Sequence, residues 1–303
     1  MALVGATASG KSALAHELAL REGDVDIVSV DAMCVYRGMD LATAKPTSRE
    51  RVEVPYHLLD LVEPSEEYTV AQFQRDAAHA SSQIWGAERR VLFVGGTGLY
   101  GRAVLDDLDI PSRYPEVRRE LDERATLDLA SLYAQLEELD PLSASRMEAS
   151  NERRIVRALE VTLGSGRRFS SYGDGLMLYG PSRVIQVGLD VPLETLDERI
   201  ELRFRRWMDE GLVDEVVGLQ ERPGGLGRTA RQAVGYRQIL AHLEDGQDLE
   251  ESVSDAITHS RRLARRQRSW FRRDPRVEWF TDPGLAAARL MAVVNDFDGF
   301  VRD

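Results

Sequence analysis

The sequence is poor in cysteine, in long apolar runs and in lysine. Its single cysteine, Cys34, permits no internal disulfide, and none of the five histidines stands three or four residues from another, so we expect no zinc site of ordinary spacing. No run of about 18 apolar residues occurs, and the N-terminal residues contain no signal-like segment. We therefore expect a cytoplasmic protein without a membrane partner.

Lysine is scarce although arginine is abundant. Only Lys11 and Lys45 are lysines among 39 basic residues. An ammonium is a compact point charge that a guanidinium does not replace, so both positions are candidates for a specific role. For Lys45 a solvated surface position is the alternative. The net charge of -12 argues against a generally basic nucleic-acid binder, although a local basic face is compatible with it.

The remaining composition is that of a globular protein. With 303 residues, of which 43% are hydrophobic and 30% charged, the chain can form one mid-sized unit or two small domains. Disorder and fibrous repeats are excluded.

Apolar strands and helical segments alternate over the first hundred residues. Strands are predicted at 2–4, 26–30, 91–94 and 183–189, and helices at 11–20, 70–85 and 193–210. This order predicts an α/β fold, a parallel sheet flanked by helices. Residues 111–182 show helical patterns without a clear strand, so we predict a helical insertion domain there and a core domain formed by 1–110 and 183–303.

The segment GATASGKS matches the phosphate-loop pattern G-x-x-x-x-G-K-[ST], directly after a predicted strand and at the start of a predicted helix. In such loops backbone N–H groups and a helix N-terminus surround phosphate oxygens, the lysine adds a charge, and the serine hydroxyl can reach Mg²⁺. A nucleoside triphosphate and the diphosphate of another substrate both fit this chemistry. The predicted binding residues are Gly5, Ala6, Thr7, Ala8, Ser9, Gly10, Lys11 and Ser12.

Asp31 and Thr97 each follow a predicted strand. Because ligands bind at the carboxyl ends of parallel strands, we expect both side chains to face one crevice. Asp31 is a candidate base, metal ligand or structural cap. The segment 96–101 also fits G-x-G-x-x-G, which is typical of nicotinamide-binding enzymes, but no strand with a terminal acid follows at the usual distance, so a simple turn competes with it.

Arginines concentrate late in the chain. Segment 261–273 contains seven arginines and no acid, and Trp270 and Phe271 lie among them. Such a face suits a phosphate backbone, whereas a solvated charged helix is the other interpretation. Earlier, Arg203 lies one turn from Arg199 and can turn toward the phosphate loop. The arginines of the late segment that share one helix face are Arg261, Arg265, Arg268 and Arg272.

Several segments taken together resemble one family. In order they are GATASGKS, SVDAMCVYRGMDLATAKP, HLLDLVEPSEEYTVAQF, VLFVGGTGLY, RRIVRALEV, RIELRFRRWMDEGLVDEV and QAVGYRQ. From Val4 to about Arg268 the chain resembles the bacterial tRNA dimethylallyltransferases. Two positions depart from the family pattern. Ala32 stands where serine is usual, so we expect the loss of one hydrogen bond to tRNA or to the substrate. Ala42 stands where glycine is usual, which we expect to alter a turn.

The resemblance implies a fold, a reaction and partners. The fold is a P-loop NTPase-like sheet, and the partners are dimethylallyl diphosphate, Mg²⁺ and the tRNA anticodon stem-loop, bound by a monomer. The reaction transfers the dimethylallyl group to N6 of an anticodon-loop adenine and releases diphosphate. A small-molecule kinase or adenylate prenyltransferase and a nucleotide-driven switch are the alternatives.

The resemblance also implies site residues. Thr7 to Ser12 match the diphosphate-binding loop, with Ser12 beside the metal, and Asp31 matches the general base. Thr97 matches a residue lining the channel for the target base, and Arg203 matches a diphosphate ligand. The implied tRNA-binding residues are Asp31, Ala32, Met33, Cys34, Thr97, Arg118, Ser150, Asn151, Glu152, Arg153, Arg154, Gln232, Ala233, Val234, Gly235, Tyr236 and Arg237.

Overall fold

The computed structural model describes residues 1–172 and 178–300, except the side chains of 294–300. The chain forms two compact units. The first contains Met1–Leu105 and Pro181–Asp303, and the second contains Asp106–Gly180. Residues 173–177 of the predicted insertion and 301–303 of the predicted core lie outside the described residues.

The first unit contains a six-stranded sheet with the order β3-β2-β4-β1-β5-β6. All neighbouring strands are parallel, which confirms the predicted fold class. The sequence analysis does not predict β3 or the late strand β6; β3, with two residues, is too short to show any periodicity. The strands are β1 (Ala2–Gly5), β2 (Val25–Val30), β3 (Tyr56–His57), β4 (Arg90–Gly95), β5 (Gln186–Leu189) and β6 (Val277–Phe280).

Helices connect and cover these strands. Helices α5 to α8 belong to the second unit, and the others belong to the first. In chain order they are α1 (Lys11–Glu22), α2 (Ser48–Glu53), α3 (Val70–Gly86), α4 (Gly98–Leu105), α5 (Pro115–Leu127), α6 (Leu129–Leu139), α7 (Pro141–Ser145), α8 (Glu152–Ser165), α9 (Leu193–Asp209), α10 (Leu212–Gln220), α11 (Tyr236–Asp245), α12 (Leu249–Phe271) and α13 (Pro283–Phe300), with a 3₁₀ turn at Ala230–Gln232.

Both faces of the sheet are buried. In β1, Ala2 and Val4 pack in one apolar cluster and Leu3 packs in the other. In β2, Val28 joins the first cluster and Ile27 the second. This alternation follows from the opposite directions of successive strand side chains. Burial on both faces is typical of parallel sheets, whose strands therefore consist of nearly continuous apolar residues.

The second unit is a helical cluster. Its core contains Leu121, Leu132, Leu136, Ile155 and Leu159. Three of its helices have well-defined beginnings, because side-chain oxygens accept free backbone N–H groups of the first turn. The N-terminal caps of α6, α7 and α8 are Asp128, Asp140 and Asn151.

A helix that crosses a membrane must be long and predominantly apolar. Across residues 1–172 and 178–300, no helix combines the length and the apolar character that a bilayer crossing requires.

Lys45 holds the loop that follows β2. Its side chain is only 1% exposed, so the solvated alternative is wrong. The ammonium donates to the Tyr36 carbonyl oxygen at 2.6 Å, to Asp40 at 2.9 Å and to Asp60 at 2.6 Å. Burial raises the pKa of Asp60, but hydrogen bonds from Lys45 and Arg51 outweigh it and lower that pKa below its ordinary value. A buried ammonium with three acceptors therefore fixes the conformation of this loop.

We expect Lys45→Met to lower the free energy of unfolding by about 3 kcal/mol, because it removes a buried ammonium that donates three hydrogen bonds and leaves the half-buried Asp60 with Arg51 as its remaining cationic partner. Urea unfolding measures the change. As the control, Arg21→Met removes an exposed arginine whose contact with Glu22 is 3.5 Å and is expected to cost less than about 1 kcal/mol. Equal, small losses in both variants would contradict the assignment.

Candidate active site

The phosphate loop connects β1 to α1. Gly10, immediately before α1, has φ of +91°, a conformation that favours glycine. Position 5 is also constrained, because a Cβ on Gly5 would lie 3.2 Å from the Leu189 carbonyl oxygen of β5. The loop therefore turns sharply at the carboxyl edge of the sheet, and the N-terminus of α1 faces the space that it encloses.

Lys11 and Arg203 supply positive charge to this loop. The Lys11 ammonium donates to the Ala6 carbonyl oxygen at 3.1 Å. Burial and the neighbouring Arg203 lower the pKa of Lys11 to about 8, against a smaller opposing effect of Asp31. Arg203 Nη2 donates to Thr7 Oγ1 at 2.7 Å, which confirms its predicted direction. Burial also lowers the pKa of Arg203, to about 10.

Two polar atoms near the loop have no partner. Within the described part of the chain, Ser9 Oγ and Arg203 Nε are buried and make no hydrogen bond. Buried polar atoms normally find partners, so such atoms at a crevice indicate a place for a polar ligand. Uncompensated cations and unpaired donors together define an anion site.

Asp31 and Thr97 follow adjacent strands, β2 and β4, and a hydrogen bond joins their segments. The Ala32 N–H donates to Thr97 Oγ1 at 3.3 Å. Asp31 Oδ1 accepts from the N–H groups of Met33 at 2.8 Å and Cys34 at 3.3 Å. Asp31 therefore caps a turn through one oxygen, while among the described residues no hydrogen bond engages the other. The cap and the functional interpretations are thus compatible.

Gln267 of α12 contacts the phosphate loop and was not predicted. Its Oε1 accepts the Thr7 N–H at 2.8 Å. A Cβ on Gly96 would lie 2.6 Å from Gln267 Nε2, and a Cβ on Gly98 would lie 2.2 Å from the Trp270 ring. These glycines of the 96–101 segment thus allow close packing against α12, which explains them without a nicotinamide cofactor. Sequence alone gave no signal for a contact between residues 260 positions apart.

The arginine face predicted on α12 is neutralised within the first unit. Arg265 binds both carboxylate oxygens of Asp197, at 3.0 and 2.6 Å, and Arg261 contacts Glu201 at 2.8 Å. Arg268 and Arg272 both contact Asp190. These four arginines therefore already have carboxylate partners, and contact of this face with a phosphate backbone stays a prediction. The opposing acids lie on or before α9, far away in sequence.

The residues implied for tRNA binding differ in exposure. In the first unit Cys34, Ala233, Gly235 and Tyr236 are buried in this conformation. Their part in tRNA binding stays a prediction. The members of this group with half-buried or exposed positions are Asp31, Ala32, Met33, Thr97, Gln232, Val234 and Arg237.

In the second unit the implied residues lie at the start of α8 and on α5. Arg153 and Arg154 are exposed, and the described residues provide no acidic partner for them. Asn151 accepts the Arg154 N–H at 3.3 Å. Arg118 differs, because Asp122 binds its Nε at 2.9 Å. Burial lowers the pKa of Arg118, but Asp122 more than compensates and raises it. Its charge is thus already partnered.

The two departures from the family pattern cause no backbone strain. Ala32 uses its N–H for the bond to Thr97, which does not need a side chain. Ala42 is not in the left-handed region, so alanine fits the backbone here, and the altered turn stays a prediction. Its Cβ faces Gly235, where a second Cβ would lie only 2.8 Å away.

The fold and the anion site define an α/β protein of the phosphate-loop class. The IPP transferase family matches residues 34–274. A tRNA dimethylallyltransferase of Saccharopolyspora erythraea is 46% identical over 94% of this chain and 93% of its own length. One of Bifidobacterium animalis subsp. lactis is 41% identical over 98% and 87%, respectively. The chain therefore belongs to the IPP transferase family, and the resemblance stated from sequence is confirmed.

Solved structures agree with this assignment. The tRNA isopentenylpyrophosphate transferase of Bacillus halodurans is 33% identical, with a TM-score of 0.69 over 97% of this chain and 95% of that one. A eukaryotic dimethylallyltransferase acting on tRNA has a TM-score of 0.79 over 98% of this chain and 79% of its own, at 23% identity, which supports the fold alone.

The lowered pKa of Lys11 predicts how anion binding depends on pH. A bound diphosphate stabilises the ammonium, so above pH 8 binding must take up a proton. We expect the affinity for diphosphate to fall by up to about tenfold per pH unit between pH 8 and 9. Calorimetric titration with inorganic diphosphate measures it.

Lys11→Met is the control for the ligand's own titration. This variant is expected to bind at least about tenfold more weakly at pH 7 and to lose the extra pH dependence. The same pH slope in both proteins would contradict the assignment of the proton to Lys11.

Proposed function

We propose that this protein transfers the dimethylallyl group of dimethylallyl diphosphate to N6 of an adenine in the tRNA anticodon loop and releases diphosphate. The observation that carries the proposal is the shared edge of the sheet. There the phosphate loop, with Lys11 and Arg203, lies beside Asp31 and Thr97. Such a site has a place for a leaving diphosphate and a carboxylate for the proton of the attacking nucleophile. Membership of the IPP transferase family supports the same reaction.

The reaction requires one bond to form and one to break. The adenine N6 nitrogen attacks the allylic carbon, the bond from that carbon to the diphosphate oxygen breaks, and the N6 proton passes to a base. Asp31 is the proposed base, since one of its oxygens is held by two backbone N–H groups and the other is available. Positioned proton transfer of this kind contributes about 10²- to 10⁴-fold in rate.

Negative charge accumulates on the departing diphosphate. Several groups at the phosphate loop place positive charge near the proposed position of the diphosphate. They are backbone N–H groups of the loop, the N-terminus of α1, Lys11 and Arg203. Groups fixed before the reaction stabilise developing charge without reorganisation, so they lower the barrier. Thr97, which already orders the Asp31 segment through Ala32, is proposed to line the channel for the target base.

The residues fit a magnesium ion that accompanies the diphosphate. Ser12 is exposed at the first turn of α1, which suits a hydroxyl ligand. In the described part of the chain no group of three or more His, Cys, Asp or Glu side chains is placed to hold a metal. Mg²⁺ is commonly held through substrate phosphates with few protein ligands. When bound, the ion would neutralise part of the charge of the leaving group.

Candidate tRNA contacts are present in each unit taken by itself. In the second unit, the insertion, the exposed Arg153 and Arg154 suit the phosphates of the anticodon stem-loop. In the first unit, Gln232 and Arg237 and the segment from Asp31 to Met33 are the candidates. An adenine inside a folded loop must leave its stack to reach Asp31, at a cost of a few kcal/mol that these contacts offset. A monomer in the cytoplasm belongs to the same proposal.

The test incubates the protein with unmodified tRNA, Mg²⁺ and dimethylallyl diphosphate, and digested nucleosides are then analysed by mass. We expect dimethylallyl-adenosine to form. A product on free adenine nucleotides but not on tRNA would favour the adenylate prenyltransferase, and steady hydrolysis of ATP or GTP without transfer would favour the nucleotide-driven switch. Either result with folded protein contradicts the proposal.

The variant Asp31→Asn distinguishes the role of Asp31 as a general base from its role as a cap of the turn. The amide oxygen can still accept the N–H groups of Met33 and Cys34, but it cannot take a proton. We expect turnover to fall by at least about 10²-fold with tRNA binding nearly unchanged, measured by single-turnover transfer and by filter binding. If Asp31→Asn keeps its activity while Asp31→Ala loses it, the residue is only a cap.

A further inference from the structure

Glu215, in the first turn of α10, lies between two distant segments of the first unit. Its Oε1 accepts the Asp40 N–H at 3.1 Å and the Tyr236 hydroxyl at 2.5 Å. Its Oε2 accepts the Leu41 N–H at 3.1 Å. One carboxylate thus links the loop after β2 to the first residue of α11. The sequence positions joined in this way are 175 and 21 residues apart.

This carboxylate has no cationic partner in the described residues. Burial raises the pKa of Glu215, and the hydrogen bonds from Tyr236, Leu41 and Asp40 offset this only in part. Partial burial of a carboxylate whose hydrogen-bond donors are all neutral costs free energy, because the charge loses part of its hydration. A fully exposed carboxylate would not have this cost. The arrangement nevertheless matches the two successive N–H groups of Asp40 and Leu41 with two acceptor oxygens.

The loop that Glu215 holds is continuous with the Asp31 turn. The Cys34 thiol donates to the Thr43 carbonyl oxygen at 3.6 Å, and the Thr43 hydroxyl donates to the Met39 carbonyl oxygen at 2.6 Å. Lys45 closes the same loop onto the Tyr36 carbonyl oxygen. Because these bonds connect its two arms, a shift at residues 40 and 41 displaces the segment that carries Asp31.

Tight packing accompanies the hydrogen bonds on the α11 side. Gly235 has φ of +97° and would place a Cβ 2.8 Å from the Ala42 Cβ and 3.4 Å from the Phe204 ring. Phe204 is the neighbour of Arg203 on α9. The loop, the start of α11 and α9 therefore meet around Gly235, which precedes the Tyr236 that Glu215 binds.

We propose that Glu215 is a positioning residue that holds the segments Asp31–Cys34 and Gln232–Arg237 in the relative arrangement that the nucleic-acid acceptor requires. It does not touch the reacting atoms. This inference rests on the proposed function, because both segments are the candidate tRNA contacts of the first unit. Its hydrogen bonds go to Asp40, Leu41 and Tyr236, which lie outside the phosphate loop, so we expect binding of dimethylallyl diphosphate there to be unaffected.

The variant Glu215→Gln tests this role. The amide keeps one acceptor oxygen, but its NH₂ group faces either the Leu41 N–H or, in the other orientation, the Asp40 N–H and the Tyr236 hydroxyl. We expect the KM for tRNA to rise about tenfold, with the KM for dimethylallyl diphosphate within about twofold. Asp214→Asn is the matched control, since Asp214 is the exposed neighbouring acid on the same turn, and it should leave both constants unchanged.

A second measurement does not depend on catalysis. Hydrogen exchange of the peptide containing residues 36–45 should be faster in Glu215→Gln than in wild type and Asp214→Asn, without substrates. Unchanged exchange with an unchanged KM for tRNA would overturn the proposal, as would an equal rise in both KM values. Failure of the wild-type protein to modify tRNA would instead contradict the proposed function, while the exchange data would still decide whether Glu215 orders the loop.

Discussion

All neighbouring strands of the sheet run parallel, and this constraint determines where chemistry can occur. Because the carboxyl ends of β1, β2 and β4 lie at one edge, the residues that follow them share one space. The phosphate loop follows β1, Asp31 follows β2 and Thr97 follows β4. The register of β4 with both β1 and β2, in which Gly95 lies opposite Val4 and Val30, places these three ends at the same level of the sheet. Each local segment is short, and only the sheet brings the segments together.

Charge pairing separates two kinds of arginine in the first unit. Along α12, Arg261, Arg265, Arg268 and Arg272 are matched by carboxylates near α9, so they hold helices together. Arg203 has no carboxylate among the described residues and instead contacts the phosphate loop. A protein with a net charge of -12 can thus keep a local anion site, because most of its basic residues are already neutralised.

Much of this arrangement could be predicted from short-range patterns. GATASGKS specified the loop, and apolar runs specified β1, β2 and β4. Partners distant in sequence could not be predicted. These contacts depend on how the helices pack on the sheet, and local periodicity contains no information about that packing. They are the contacts of Gln267 with Thr7, of Asp197 with Arg265 and of Glu215 with residues 40 and 41. The burial of Lys45 and Tyr236 could not be predicted either, because lysine and tyrosine side chains are compatible with both the interior and the surface of a protein.

The central claim is that one crevice at the carboxyl edge holds the diphosphate beside Asp31. A crystal structure of the protein with Mg²⁺ and inorganic diphosphate tests it most directly. We predict diphosphate density within hydrogen-bond distance of backbone N–H groups in the loop up to Ser12, of Lys11 and of Arg203, with the metal beside Ser12. Density for the diphosphate elsewhere on the protein, with this loop empty, would contradict the account.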